Sequence, residues 1–254
     1  MKILNVICLA SLLLLLGCDK ENEATKNVQL SIQLELLMDG APLVLEEQHY
    51  TNALGETFEV SDFRFYLTNI SLQGESSDAA FSESESYHLI AHDGMSNEAS
   101  FTVSGIPSKQ YDTITFAVGV DPDRNYSIDN TGDLDPNNAM AWNWNTGYKF
   151  VLLEGKYYPD GGEARGLAYH IGGDDNYRVV TLPAAMDLSK GDGTLKLKVN
   201  VDKIFGDKAE QSLPEASRKT TFITLERNGP EDTMFGPYTQ LIANNYAQMF
   251  EVVQ

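Results

Sequence analysis

The chain has 254 residues, 42% of them hydrophobic, enough to bury a sizeable core, so wholesale disorder is excluded. Its 37 acidic residues against 18 basic ones give a formal charge of -19 at pH 7, a surface that repels phosphate backbones and makes nucleic acid an unsuitable partner. Such a surface suits cations, or serves solubility alone.

The chain begins with Lys2 and an apolar run from Ile7 to Leu16, interrupted by Cys8 and Ser11. That run is shorter than the roughly 20 residues that span a bilayer, and Gly17-Cys18 follows it as a processing pattern. Residues 1–17 therefore read as an export signal. Leu15-Leu16-Gly17-Cys18 resembles a lipobox, with Cys18 lipidated at the mature N-terminus and the membrane reached through that anchor. The expected location is the outer membrane, with the domain facing the periplasm or the cell surface. With Cys8 removed and Cys18 acylated, the mature domain has no thiol for a disulfide, an iron–sulfur cluster or a nucleophile. Residues 18–27 are polar and form a tether, leaving 28–254 as one domain.

Period-two alternation follows. Val28, Leu30, Ile32, Leu34 and Leu36 alternate with polar residues, and Thr57 to Leu72 reads as one long or bulged strand. Further strands are expected at Tyr87–Ala91, Ser100–Val103, Asp112–Val120, Gly147–Leu153, Gly166–Ile171, Tyr177–Leu182 and Thr194–Val201, separated by turns such as Asp160-Gly161-Gly162. About nine strands without alternating helices predict an all-β fold, a single-domain antiparallel β-sandwich. Helix is expected only at Gln240–Glu251 and as a short turn at Ile204-Phe205.

The polar segment Asp121–Met140 is longer than compact domains usually carry without a purpose. Asp121, Asp123, Asn125, Asp129, Asp133 and Asp135 place oxygen donors at mostly alternate positions, which could converge on calcium, although Tyr126 and Gly132 break the EF-hand pattern. Solvated turns account for the same residues.

The histidines are His49, His88, His92 and His170, none of them in a close metal-binding pair. His170 leads, because the Gly172-Gly173 that follows allows a backbone or ligand to approach closely; His88 is second. Trp142 and Trp144 would share one face of a strand, either as core or as a platform for a sugar ring. No nucleophile constellation, P-loop or dinucleotide fingerprint is present, so no catalytic residue is assigned and a non-enzymatic protein is expected.

Three stretches together resemble the MbnP-like family, in its lipoprotein branch found in Bacteroidetes: Asp62 to Leu72 (DFRFYLTNISL), Phe116 to Asp121 followed by Leu134 to Phe150 with its paired tryptophans, and Tyr169-His170-Ile171-Gly172-Gly173. The resemblance implies an extracytoplasmic copper-binding protein served by a di-haem partner oxidase of the MbnH type. It also implies that Trp142 or Trp144 is oxidised to kynurenine and that His170 and His88 are the first imidazole ligands. Here Trp144 stands two residues beyond Trp142, where copper-binding relatives place a histidine. The leading expectation is a lipid-anchored protein for copper binding or acquisition. The alternatives are a glycan-binding module built on Trp142 and Trp144, and a calcium-stabilised structural or adhesion lipoprotein.

Overall fold

The computed structural model describes residues 26–75, 80–92, 94–127, 129–143, 147–227 and 229–253. The export signal, Cys18 and Trp144 lie outside the described residues. The strands are β1 (Asn27–Met38), β2 (Ala41–Pro42), β3 (Tyr50–Thr51), β4 (Thr57–Gln73), β5 (Ala80–Ser82), β6 (Tyr87–Ala91) and β7 (Glu98–Pro107). They continue with β8 (Gln110–Val118), β9 (Lys149–Tyr158), β10 (Arg165–Gly172), β11 (Arg178–Asp187), β12 (Gly193–Asn200) and β13 (Phe250–Val252). Helices are short: α1 (Pro122–Asn125), α2 (Pro230–Thr233) and α3 (Pro237–Tyr246), with short 3-10 segments elsewhere between the strands. Two sheets enclose one core, the expected all-β sandwich.

In the first sheet β1 lies between β7 and β12, and it runs parallel to β12, with Leu30 opposite Gly193 and Leu36 opposite Val199. The sandwich is therefore not purely antiparallel. A hairpin dictates antiparallel pairing only between neighbours in sequence; β1 and β12 are separated by the whole second sheet, a crossover long enough for either direction. The C-terminal helix also differs from expectation. It starts at Pro237, a residue suited to the first helical position, and stops at Tyr246, because Phe250 pairs with Val199 as part of β13.

The second sheet is organised around β4. Its residues Arg64 and Phe65 pair with both β6 and β9, while Leu67 and Thr68 pair with both β6 and β8. A strand has only two edges, so β8 and β9 lie end to end along the same edge of β4. Strand β11 pairs with β8 and β10 with β9, so these two are also laid end to end. Two rows thus break at mid-sheet, one at residues 119–148 and the other at residues 173–177.

Two irregularities let 17-residue β4 keep an apolar inner face. The register shifts between Val60 and Asp62 and again between Thr68 and Ser71, where Asn69 takes φ 55°. The inward positions consequently run Phe58, Val60, then Phe63, Phe65, Leu67, then Ile70 and Leu72, all buried. Strict alternation would have turned half of them to the other face.

That other face carries a second, smaller core. Tyr66, Phe150 and Leu152 meet Val120, Leu134, Met140 and Tyr148, which come from the 119–148 excursion and its junction with β9. The Tyr66 hydroxyl donates to Asp133 O at 2.9 Å and the Tyr148 hydroxyl to Leu134 O at 2.6 Å. Burial pushes the Tyr66 phenol well above its ordinary pKa, so it stays a donor. Asn125, 1% exposed, accepts from Tyr148 N at 2.9 Å and donates to Asp174 at 2.9 Å, tying the two mid-sheet breaks together. Asn125→Ala leaves the Tyr148 N–H without that acceptor and is expected to cost about 1–3 kcal/mol, read as a lowered Tm. An unchanged Tm would show that solvent replaces the amide.

Candidate functional site

His170 and Glu154 both project from the outer face of the second sheet. His170 pairs with Leu152, and Leu152 with Arg64; Glu154 pairs with Ala168 one pleat away. Paired residues share a face, and Leu152 belongs to the outer core. His170 Nε2 lies 2.6 Å from Glu154 Oε1, with the imidazole side chain 17% exposed and the carboxylate 43%.

The Trp142 ring settles beside this pair, its centroid 6.3 Å from that of His170 and tilted by 58°. Gly172 makes room for it. A Cβ there would stand 2.3 Å from Tyr148 O, 3.2 Å from Trp142 Nε1 and 3.3 Å from Trp142 Cζ2. The close approach expected at Gly172-Gly173 is thus made by the protein's own tryptophan and a carbonyl. Phe235, just before α3, covers the indole at a centroid distance of 5.5 Å. A cleft of about 570 Å³ lined by Tyr126, Gly172, Gly173, Asp174 and Phe235 opens next to it.

Charges surround the site. Lys149 Nζ sits 5.8 Å from the Trp142 centroid and donates to Ala139 O at 2.9 Å. Burial lowers the pKa of this ammonium, partly offset by the nearby Glu154 carboxylate. Arg64 grips Asp62 through two bonds of 2.9 and 2.6 Å and reaches Asn138 O at 3.3 Å. The two cations therefore hold the end of the excursion, residues 138 and 139, against the sheet.

His170 and Trp142 are brought together as expected, but His88 is not. Its pairing partner Leu67 faces the sandwich core, so His88 is on the opposite face of the sheet from His170. There it stacks on Phe101 at 4.0 Å and contacts Glu83 Oε2 at 2.8 Å. His88 cannot join His170 on one ion. His92 is structural: its Nδ1 accepts from Gly94 N and its Nε2 faces Leu43 O at 3.0 Å. His49 lies against Tyr158, the ring centroids 4.4 Å apart and the planes tilted by 31°.

The paired-tryptophan platform is not formed at Trp142. An isolated bridge between Ala141 and Tyr148 closes the segment outside any strand, and Trp142 is 8% exposed, its ring covered rather than offered to a sugar. The acids of the excursion do not converge either. Asp121 caps α1 and accepts from Tyr87 and Asn69; Asp133 accepts from Leu89 N; Asp135 caps the next 3-10 turn; Asn125 points into the fold. Each is used to fix a different stretch of backbone, and Asp123 and Asp129 do not complete a cage. Among the described residues no three His, Cys, Asp or Glu side chains gather as a metal-binding group.

Glu154, Lys149 and Phe235 were not foreseen from sequence. Glu154 could have been found only by knowing the β9–β10 register, and Phe235 only by knowing where the C-terminal segment folds back.

A model of the MbnP family matches residues 26–222. The solved structure of MbnP from Methylosinus trichosporium superposes with a TM-score of 0.50 at 18% identity, covering 71% of this chain and 78% of that one. No curated protein sequence matches the chain.

Proposed function

Because the chain belongs to the MbnP family, we propose that it is a non-enzymatic, lipid-anchored extracytoplasmic protein that binds copper, with His170 beside Trp142 as its centre. The observation that carries this reading is their meeting at the mid-sheet break: residues 28 positions apart in sequence sit with ring centroids at 6.3 Å. Imidazole nitrogen suits copper. The unmodified side chains at the site fit the metal only in part, since they supply one imidazole and one carboxylate in contact. That leaves the coordination open to an oxidised Trp142 and to solvent. Oxidation of an indole needs an external oxidant, the role assigned to a di-haem partner of the MbnH type. Cys18 would fasten the chain to the outer membrane through the polar tether.

The test is to incubate the purified mature chain with copper and calcium together, desalt it, and count bound metals by mass spectrometry. Stoichiometric copper is expected, lost in His170→Ala and retained in His88→Ala. Copper that persists in His170→Ala, or calcium in place of copper, would overturn the reading.

A further inference from the structure

Trp142 is 8% exposed, and Phe235 closes over its indole at a centroid distance of 5.5 Å. Phe235 stands at the end of a segment bracketed by two Gly-Pro pairs, Gly229-Pro230 and Gly236-Pro237. Each proline begins a helix, α2 or α3, and fixes φ there, so rotation of the segment is concentrated at the glycine in front of it. Gly236 takes φ 99°, a conformation open to glycine and disfavoured for other residues. Between the two pairs the chain is bonded to itself. Thr233 N donates to Gly229 O at 3.0 Å, Met234 N to Pro230 O at 3.0 Å, and the Thr233 hydroxyl to Gly229 O at 3.1 Å. Among the described residues, every hydrogen bond of residues 230–234 ends within residues 227–235, none of them on a strand. The segment is one compact turn, able to swing on its glycines without breaking a ladder bond.

A clasp holds this turn in place. Arg227, before the first glycine, donates to Asp232 Oδ1 at 3.0 and 2.6 Å, and its guanidinium lies 4.3 Å from the ring centre of Tyr238, beyond the second glycine. The Asp232 side chain is 11% exposed and that of Arg227 55%, so the carboxylate is the buried partner. A buried carboxylate that loses its cation is costly, and swinging outward into water relieves it. Phe235 leaves Trp142 in the same movement. We propose that residues 229–236 are a hinged lid, held closed by Arg227 and Asp232, that decides when a dissolved reagent can touch the Trp142 indole. The lid also forms a wall of the adjoining cleft, through Phe235 and Gly236, so opening joins that cleft to the face of the indole. The lid stands on these contacts alone and is independent of the copper reading.

The test is collisional quenching of Trp142 fluorescence by acrylamide in the mature chain carrying Trp144→Phe, the parent in which Trp142 is the single tryptophan. Phe235→Ala sets the uncovered limit. Arg227→Gln is expected to raise the quenching constant severalfold over the parent, toward that limit. Arg227→Gln combined with Asp232→Asn should return it to the parent value, because a neutral amide is far cheaper to bury than a carboxylate. Gly236→Ala should raise quenching as well: its methyl would stand 2.9 Å from Glu231 O in the closed lid, at a disfavoured φ. The far-ultraviolet circular dichroism of each variant should match the parent, since no strand is touched. If Arg227→Gln is quenched no more than the parent while Phe235→Ala is, the cover is fixed, the clasp is idle and the proposal fails. It fails equally if the double variant stays as exposed as Arg227→Gln, or if Phe235→Ala itself leaves the indole shielded. Quenching that rises only where the dichroism signal and the Tm collapse together reports global unfolding, and that too overturns the lid.

Discussion

Gly172→Ala is expected to destabilise the protein by more than about 3 kcal/mol and to dislodge Trp142 from β10. The added methyl would stand 2.3 Å from Tyr148 O, a backbone atom that cannot rotate out of the way, and within 3.3 Å of two atoms of the indole. Tyr148 is itself held by Asn125 through its amide and by Leu134 through its hydroxyl, so a shift of its carbonyl disturbs the outer core. At a few degrees per kcal/mol for a domain of this size, the Tm should fall by roughly 10 °C. In a Trp144→Phe background Trp142 is the single reporter, and its emission should move to longer wavelength as the ring meets water. A variant with wild-type Tm and emission would show that the β9–β10 end yields, and that the glycine is not what seats the tryptophan.

Phe150→Ala is the second large effect. Phe150 is fully buried, its ring edge-on to Tyr177 at 6.4 Å and close against Gly119, so its removal leaves a cavity between both ends of the excursion and the sheet. Loss of a buried phenylalanine costs about 3–5 kcal/mol. Phe65→Ala in the main core should cost a similar amount, since Phe65 is equally buried against Phe63 and Phe250. The two are expected to part in limited proteolysis. With Phe150 gone, the outer core fails first and cleavage should fall within 119–148 under conditions where the sandwich is intact; the Phe65 variant should be cut throughout, as the whole domain opens. Identical fragment patterns would mean that the excursion and the sandwich unfold as one unit.

Strand positions were legible because burial on one face writes alternation into the chain: Val28 to Leu36 sits inside β1, Thr57 to Leu72 inside β4, and Tyr87 to Ala91 is β6. What escaped was whatever depends on distant pairing. The parallel register of β1 with β12 leaves no local trace, because each strand alternates identically whichever way its neighbour runs. Leu134 and Met140 are isolated apolar residues among acids and amides; their meeting with Tyr66 and Leu152 follows from a loop folding back, not from a period. The same limit shaped the site. Gly172-Gly173 announced a close approach and His170 was singled out, but whether His170 and His88 share a face depends on the parity of two different strand pairings, which alternation in either strand alone does not fix. The acids of residues 121–135 misled for a related reason: Asx side chains that cap turns and those that bind cations have the same spacing.

The end-to-end seating of β8 with β9 and of β10 with β11 also bears on how such a protein can change. Because β4 runs unbroken beside the junction of β8 and β9, the segment inserted there can lengthen or shorten without altering strand order, and each doubling of its length adds only about 0.6 kcal/mol of closure entropy. The frame behaves as a socket and the junction segment as an exchangeable cassette. A chain with this frame could exchange the surface presented by residues 119–148 while keeping its termini and the core between its two sheets.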